Sequence, residues 1–160
     1  MPESKDFKIY FATNDKKRDQ KFIDSIGLKV ELVDIADFKY VKVLATSKYL
    51  INNSSFPAYF IRRDEQVYLQ TWHGTPLKRL VFDQEEVTSA SPKYKQQFYR
   101  QRQEWDYLVS ANPFSTKTFR SCFMYEGKML EYGYPRNDIL YWPNKDQIAK
   151  DLREKLGIPK

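Results

Sequence analysis

The sequence predicts an α/β fold, a mostly parallel sheet with flanking helices. Three observations carry that expectation. Short segments with strand character recur along the whole chain, and segments with helical spacing or helix-start signals lie between most of them. No repeat, low-complexity tract or linker breaks the pattern. Alternation of this kind builds βαβ units, whose parallel strands bring their carboxyl ends to one rim. The 160 residues fit one domain, long enough to bury a core.

The stretch "FKIYFAT" (7–13) reads as a first strand, and "DKKRDQKFIDSIG" (15–27) as a polar helix stopped by Gly27. "LKVELVD" (28–34) alternates apolar and polar residues and reads as a second strand. Beyond Ile35, Phe38, Val41, Leu44, Ala45 and Tyr49 follow helical spacing, and "YLINN" (49–53) is a short apolar run that ends in two asparagines, as a buried strand does. "EQVYLQTW" (65–72) is the clearest strand, and it delivers the chain to His73. "KYKQQFYRQRQEW" (93–105) is a basic amphipathic helix. Strand "DYLVSAN" (106–112), helix "PFSTKTFRSCF" (113–123), strand "KMLEYG" (128–133) and helix "KDQIAKDLREKLG" (145–157) complete the series.

Composition bounds the chemistry. Hydrophobic residues make up 41% and aromatic residues 16% of the chain, which excludes a disordered protein despite 30% charged residues. One cysteine, Cys122, and one histidine, His73, can form neither an internal disulfide nor a Cys/His metal cluster, a usage that fits a reducing cytoplasm. The N-terminal "MPESKDFKIY" lacks an apolar signal region, and no apolar run approaches membrane-spanning length, so the expected protein is soluble or lies on a membrane surface. A net charge of +6 favours anionic partners, and a well-solvated surface accounts for it equally well.

In open parallel sheets, ligands bind at the carboxyl ends of the strands. The segments "NNS", "WHGT", "SANP" and "GYPRND" all fall there. His73 follows the strand "VYLQTW" and precedes an expected helix with Thr75 as N-cap and Pro76 in the first helical position. Gly74 leaves the backbone open, and the first N–H groups of such a helix would suit a phosphate. Lys78 and Arg79 in that first turn are unfavourable unless an anion meets them. The other reading of the segment is a structural turn carrying a surface histidine. In "GYPRND", Gly133 permits a tight exit and Pro135 fixes the turn. Arg136 offers a planar fork of donors, and Asn137 or Asp138 can cap the next helix. Asn112 ends a strand where Pro113 opens a helix. These capped turns need no function by themselves. With five glycines there is no GxGxxG and no GxxxxGK[ST], and no serine sits in a G-x-S-x-G elbow.

Taken together, "ATSKYLINNSSFPAYFIRRDEQVYLQTWHGTPLKRL", "WDYLVSANPFSTKTFRSCF" and "EYGYPRNDIL" closely resemble the CDP-glycerol glycerophosphotransferase family of teichoic acid synthesis, over roughly Leu44 to Leu140. The resemblance implies one Rossmann-like domain, residues 1–160, forming the acceptor-side, N-terminal half of a GT-B arrangement. In that arrangement a second domain, expected to follow "LGIPK" and absent from this sequence, holds most of the CDP-glycerol site. It implies transfer of glycerol phosphate, or a related polyol phosphate, from CDP-glycerol to a lipid-linked glycerophosphate acceptor with release of CMP. His73 matches the family's motif histidine, the proposed general base, and Gly74, Thr75, Lys78, Asn112, Arg136, Asn137 and Asp138 are the candidate substrate- and phosphate-binding residues. No cofactor, metal or nucleic acid is expected. The implied location is cytoplasmic, peripheral at the inner face of the membrane. Isolated, the chain is expected to have little activity. The competing expectation is a non-catalytic module that docks on anionic membrane or teichoic polymer through basic helices such as 93–105.

Overall fold

The structure, a computed structural model, describes residues 7–86 and 92–159. The chain divides into two compact units, Met1–Leu50 and Ile51–Lys160. Each has α/β character with parallel strand pairing, as the alternation of elements predicts.

In the first unit, β1 (Tyr10–Thr13) and β2 (Glu31–Asp34) pair in parallel with Tyr10 opposite Glu31 and Thr13 opposite Asp34. The connection is α1 (Lys16–Ser25), capped by Asp15, whose side chain accepts from the Arg18 amide at 3.0 Å. Gly27, at φ +61°, takes the left-handed conformation that turns the chain out of the helix. Helix α2 (Phe38–Thr46) follows. Ile23, Val33, Tyr40 and Leu44 are buried, one or two from each helix and from the second strand.

The second unit carries the larger sheet, in the order β3-β4-β5-β6, with β3 (Tyr49–Asn52) entering across the boundary between the units. Strands β4 (Val67–Gln70), β5 (Tyr107–Ser110) and β6 (Lys128–Glu131) are parallel neighbours, with Leu69 opposite Tyr107 and Leu108 opposite Met129. Leu108, Val109 and Ser110 are all buried, the pattern of an interior strand covered on both faces. Helix α3 (Tyr94–Arg102) precedes β5, and α4 (Pro113–Cys122) links β5 to β6.

The core of this unit is aromatic. Phe98 of α3, Phe119 of α4 and Phe123 just beyond it converge with Trp72 and Trp105, and the Phe98–Phe123, Phe119–Phe123 and Trp72–Phe123 ring centroids lie 5.0, 5.0 and 4.6 Å apart. Pairs at these spacings contribute beyond the area they bury, about 0.5–1.5 kcal/mol each. Cys122 lies in the same core, and burial pushes its thiol up to about 12, so it behaves as a small hydrophobe.

Two sequence expectations fail here. No helix begins at Thr75 and Pro76. Residues 74–80 are irregular, and the first helical turn is a short 3₁₀ segment at Val81–Asp83. The cap signals were local, but Lys78 and Arg79 would have placed two cations in the first turn, against the helix dipole. Pro76 and Val81 are instead buried toward the two ends of this irregular connection. Nor do Asn137 and Asp138 cap the next α-helix. They lie inside a 3₁₀ helix, Pro135–Tyr141, and α5 (Lys145–Leu156) starts after Asn144. Pro135 presets the helical φ at once, so winding begins before Asn137 is reached.

Candidate functional site

The site grows from the carboxyl end of β4. Gln70, the last residue of that strand, is fully buried, and its carboxamide makes contacts in two directions. Its oxygen accepts from the Trp72 amide at 2.8 Å, and its nitrogen donates to the Ser54 carbonyl at 2.7 Å. The Thr71 amide donates to the Asn52 carbonyl at 2.9 Å, which continues the β3–β4 register past the strand ends. The segments that leave β3 and β4 are therefore fastened together.

Trp72 sits at φ +54°, a left-handed conformation unusual for a bulky residue and costing roughly 1–3 kcal/mol. Its bond to Gln70 and its packing on Phe123 hold it there. The turn at Trp72 throws the next side chain outward, and the His73 imidazole stacks on the indole at 4.3 Å with 24° between the ring planes. His73 is exposed, directly beyond the strand's carboxyl end, as the sequence predicts.

The second constraint on His73 is polar. Nδ1 lies 2.7 Å from the Asn53 carbonyl oxygen. A carbonyl only accepts, so in the neutral ring the proton resides on Nδ1 and Nε2 keeps its lone pair. No described residue is bonded to Nε2. The ring is thus oriented by a stack and a hydrogen bond, with a basic nitrogen to spare.

Arg136 reaches the same place from the far side of the sequence. Its Nη2 donates to the His73 carbonyl at 3.1 Å, and its guanidinium lies 5.0 Å from the Tyr134 ring centroid. Gly133, at φ +84°, makes the sharp exit from β6, and its amide donates to the Ser110 carbonyl at 3.2 Å. The strand ends around Asn53, His73, Ser110 and Arg136 therefore form one rim. Asn112 also belongs to that rim, but its side chain is committed: it accepts from the Ser115 amide at 2.8 Å as the N-cap of α4. Thr75, Lys78, Asn137 and Asp138 are exposed, and a Cβ built on Gly74 would meet nothing within 4 Å. Of the sequence candidates, then, the structure joins His73 to Arg136 and gives Asn112 a capping duty.

A cavity of about 200 Å³ opens beside His73, bounded by Trp72 and Ser54 on the strand side and by Tyr94, Gln97 and Gln101 of α3. The α3 residues carried no signal of their own in the sequence. Polar positions on a helix read as solvated surface until the neighbouring element is known.

The sequence matches the family described as CDP-Glycerol:Poly(glycerophosphate) glycerophosphotransferase over residues 2–160. A teichoic acid poly(glycerol phosphate) polymerase of Bacillus spizizenii strain W23 is 37% identical, over 94% of this chain and 41% of its own length. The enzyme of the same name from Bacillus subtilis strain 168 is 35% identical, over 97% of this chain and 21% of its own. A structure of the wall teichoic acid polymerase TagF, a variant with CDPG, superposes with a TM-score of 0.84 at 32% identity, covering 99% of this chain and 39% of that one. The chain thus spans well under half the length of these relatives. It belongs to the CDP-glycerol:poly(glycerophosphate) glycerophosphotransferase family.

Proposed function

We propose that this chain forms the acceptor side of a glycerophosphotransferase. In this reading it is the N-terminal, Rossmann-like half of a GT-B arrangement whose second half holds most of the CDP-activated donor. The reaction joins glycerol phosphate, or a related polyol phosphate, to a hydroxyl of a lipid-linked teichoic acid acceptor. The observation that carries the proposal is the His73 ring, held by Asn53 and Trp72 beside a cavity, with Nε2 bonded to no described residue.

Nε2 takes the proton of the acceptor hydroxyl as its oxygen bonds to the β-phosphorus of CDP-glycerol. The bond from that phosphorus to the oxygen bridging the two phosphates breaks, and CMP leaves with the electron pair. Arg136 uses one N–H on the His73 carbonyl and keeps the rest of its fork for phosphate oxygens. Lys78 and the Gly74–Thr75 backbone offer further donors on the same segment. Asn112, Asn137 and Asp138 shape the surrounding turns.

We place the protein in the cytoplasm, at the inner face of the membrane where a lipid-linked acceptor is presented. No described helix is long and apolar enough to cross a membrane. The net charge of +6 supports attraction to anionic headgroups. A docking module working through the aromatics of 93–105 has less support, because Phe98 and Trp105 are buried in the core.

The test measures CMP release from CDP-glycerol by the whole natural chain containing these residues, with a lipid-linked glycerophosphate analogue as acceptor. His73→Ala is expected to lose ~10²–10⁴-fold in kcat. Turnover that survives His73→Ala would refute the role assigned to the ring.

A further inference from the structure

In a chain with 27 lysines and arginines and 21 aspartates and glutamates, none of these is among the described residues that line the cavity beside His73. Ser54, Ser55, Tyr94, Gln97 and Gln101 are polar lining residues beside His73, and Trp72 and Phe98 are the aromatic ones. Tyr94, Gln97 and Gln101 stand at positions i, i+3 and i+7 of α3, one face of the helix. Phe98, within that series, is buried against Phe123 and Trp105 and holds the face in place. The Tyr94 phenol is a hydroxyl donor at neutral pH, and burial pushes it further up. Neither glutamine carboxamide is bonded to another described side chain.

Such a lining fits one class of ligand. A phosphate there would meet no cation among the described lining residues. A polyol offers hydroxyls that both donate and accept, the complement of carboxamides and hydroxyls, and C–H faces that pack on aromatic rings. The volume of about 200 Å³ compares with ~30 Å³ for a water molecule in the liquid, so a three-carbon polyol fits.

We propose that the Tyr94–Gln97–Gln101 face of α3, with Ser54 and Ser55, is a neutral polyol subsite that grips the terminal hydroxyls of the acceptor beside His73. The phosphates then lie outside it, toward Arg136. The proposal rests on the transferase reading above and adds the residues that choose the acceptor's end.

The experiment uses the whole natural chain and follows CMP release with two acceptor analogues. One ends in glycerol, and the other lacks the secondary hydroxyl of that terminal glycerol. Gln97→Leu and Gln101→Leu are each expected to raise the KM for the glycerol-ended acceptor roughly 3- to 10-fold, the ratio one neutral hydrogen bond carries. The KM for CDP-glycerol should stay in place, and discrimination against the deoxy acceptor should shrink. An acceptor KM within about twofold of wild type with discrimination intact, or a change confined to the donor KM, would overturn the subsite.

Absence of CMP release by the wild type would defeat the transferase reading instead. In that case NMR of the His73 ring decides the subsite, on titration with soluble glycerol phosphate oligomers capped by either glycerol or phosphate. Shifts caused by the glycerol-capped oligomer and lost in Gln97→Leu sustain it. Shifts from the phosphate-capped oligomer alone, or from neither, refute it.

Discussion

Arg136 and His73, 63 positions apart in the chain, meet through a hydrogen bond from Nη2 to the His73 carbonyl oxygen at 3.1 Å. The bond ties the exit of β6 to the exit of β4 and leaves the imidazole itself untouched. An arginine suits the place because one edge of its fork can hold the backbone while other N–H groups face an anion. A lysine can hold the carbonyl or meet the anion, with one point charge.

Arg136→Lys is therefore expected to lower kcat/KM by roughly tenfold, and Arg136→Ala by more, while thermal stability changes little because the side chain is exposed. Steady-state kinetics beside a thermal melt checks this. Wild-type kinetics in Arg136→Ala would remove the residue from the site.

Gln70 has the opposite profile: it is fully buried, and its side chain is shared by both segments that fix His73. Replacing it with leucine removes the partner of the Trp72 amide and of the Ser54 carbonyl, at up to about 1–3 kcal/mol where water cannot take its place. The left-handed Trp72 loses a restraint, and with it the stack that sets His73. Gln70→Leu should lower the melting temperature and also reduce kcat more than either KM. Nitrogen NMR of the ring should show Nδ1 no longer uniformly protonated. A variant that is destabilised but keeps the ring tautomer and the kcat would mean that Gln70 acts on the fold alone.

The contrast between these two residues shows what the sequence could disclose. Elements defined by local periodicity or local caps were legible: β4 from its alternation, α4 from Asn112 and Pro113, and His73 at a strand's carboxyl end. The Thr75–Pro76 helix start was also a local signal. It failed because the flanking cations opposed a helix start there, and the segment stays irregular up to Val81. What rested on distant pairing was not legible. Gln70 looks like one more polar residue in an alternating strand until Ser54 and Trp72 arrive beside it, and Gln97 and Gln101 look like solvated helix until β4 delivers His73. Sheet order is of the same kind, and the separate pairing of β1 with β2 could not be read from either strand alone.

Glu31 in the first unit gives a pH signature. Its carboxylate is held by Lys39, and by Lys8 at 2.9 Å, and these bonds depress its pKa from an ordinary 4.5 to about 2. A depressed carboxylate stabilises the fold above its unfolded pKa, and the contribution fades as pH falls from about 4.5 towards 2. Thermal melts of wild type and Glu31→Gln should differ most at neutral pH and low salt, draw together as pH falls from about 4.5, and converge only near pH 2, or at high salt. A difference constant with pH would show that the amide alters packing, with no part played by the charge.

A polypeptide of residues 1–160 by itself should transfer glycerol phosphate poorly. In-line phosphoryl transfer depends on holding donor phosphorus, attacking oxygen and base in one geometry, and that positioning is worth many powers of ten in rate. These residues bring the proposed base and acceptor cavity, yet they correspond to only 41% and 21% of the two Bacillus polymerases they resemble. Among the described residues lining the cavity beside His73 there is no lysine or arginine for a CDP diphosphate. The polypeptide is therefore expected to bind CDP-glycerol weakly while still perturbing its His73 ring signals on addition of a glycerol-ended oligomer. Calorimetry with CDP-glycerol, NMR with the oligomer and a CMP-release assay on one preparation test the three parts together. Acceptor-dependent CMP release comparable to that of the whole chain would place a complete donor site within these 160 residues and overturn the division of labour proposed for them.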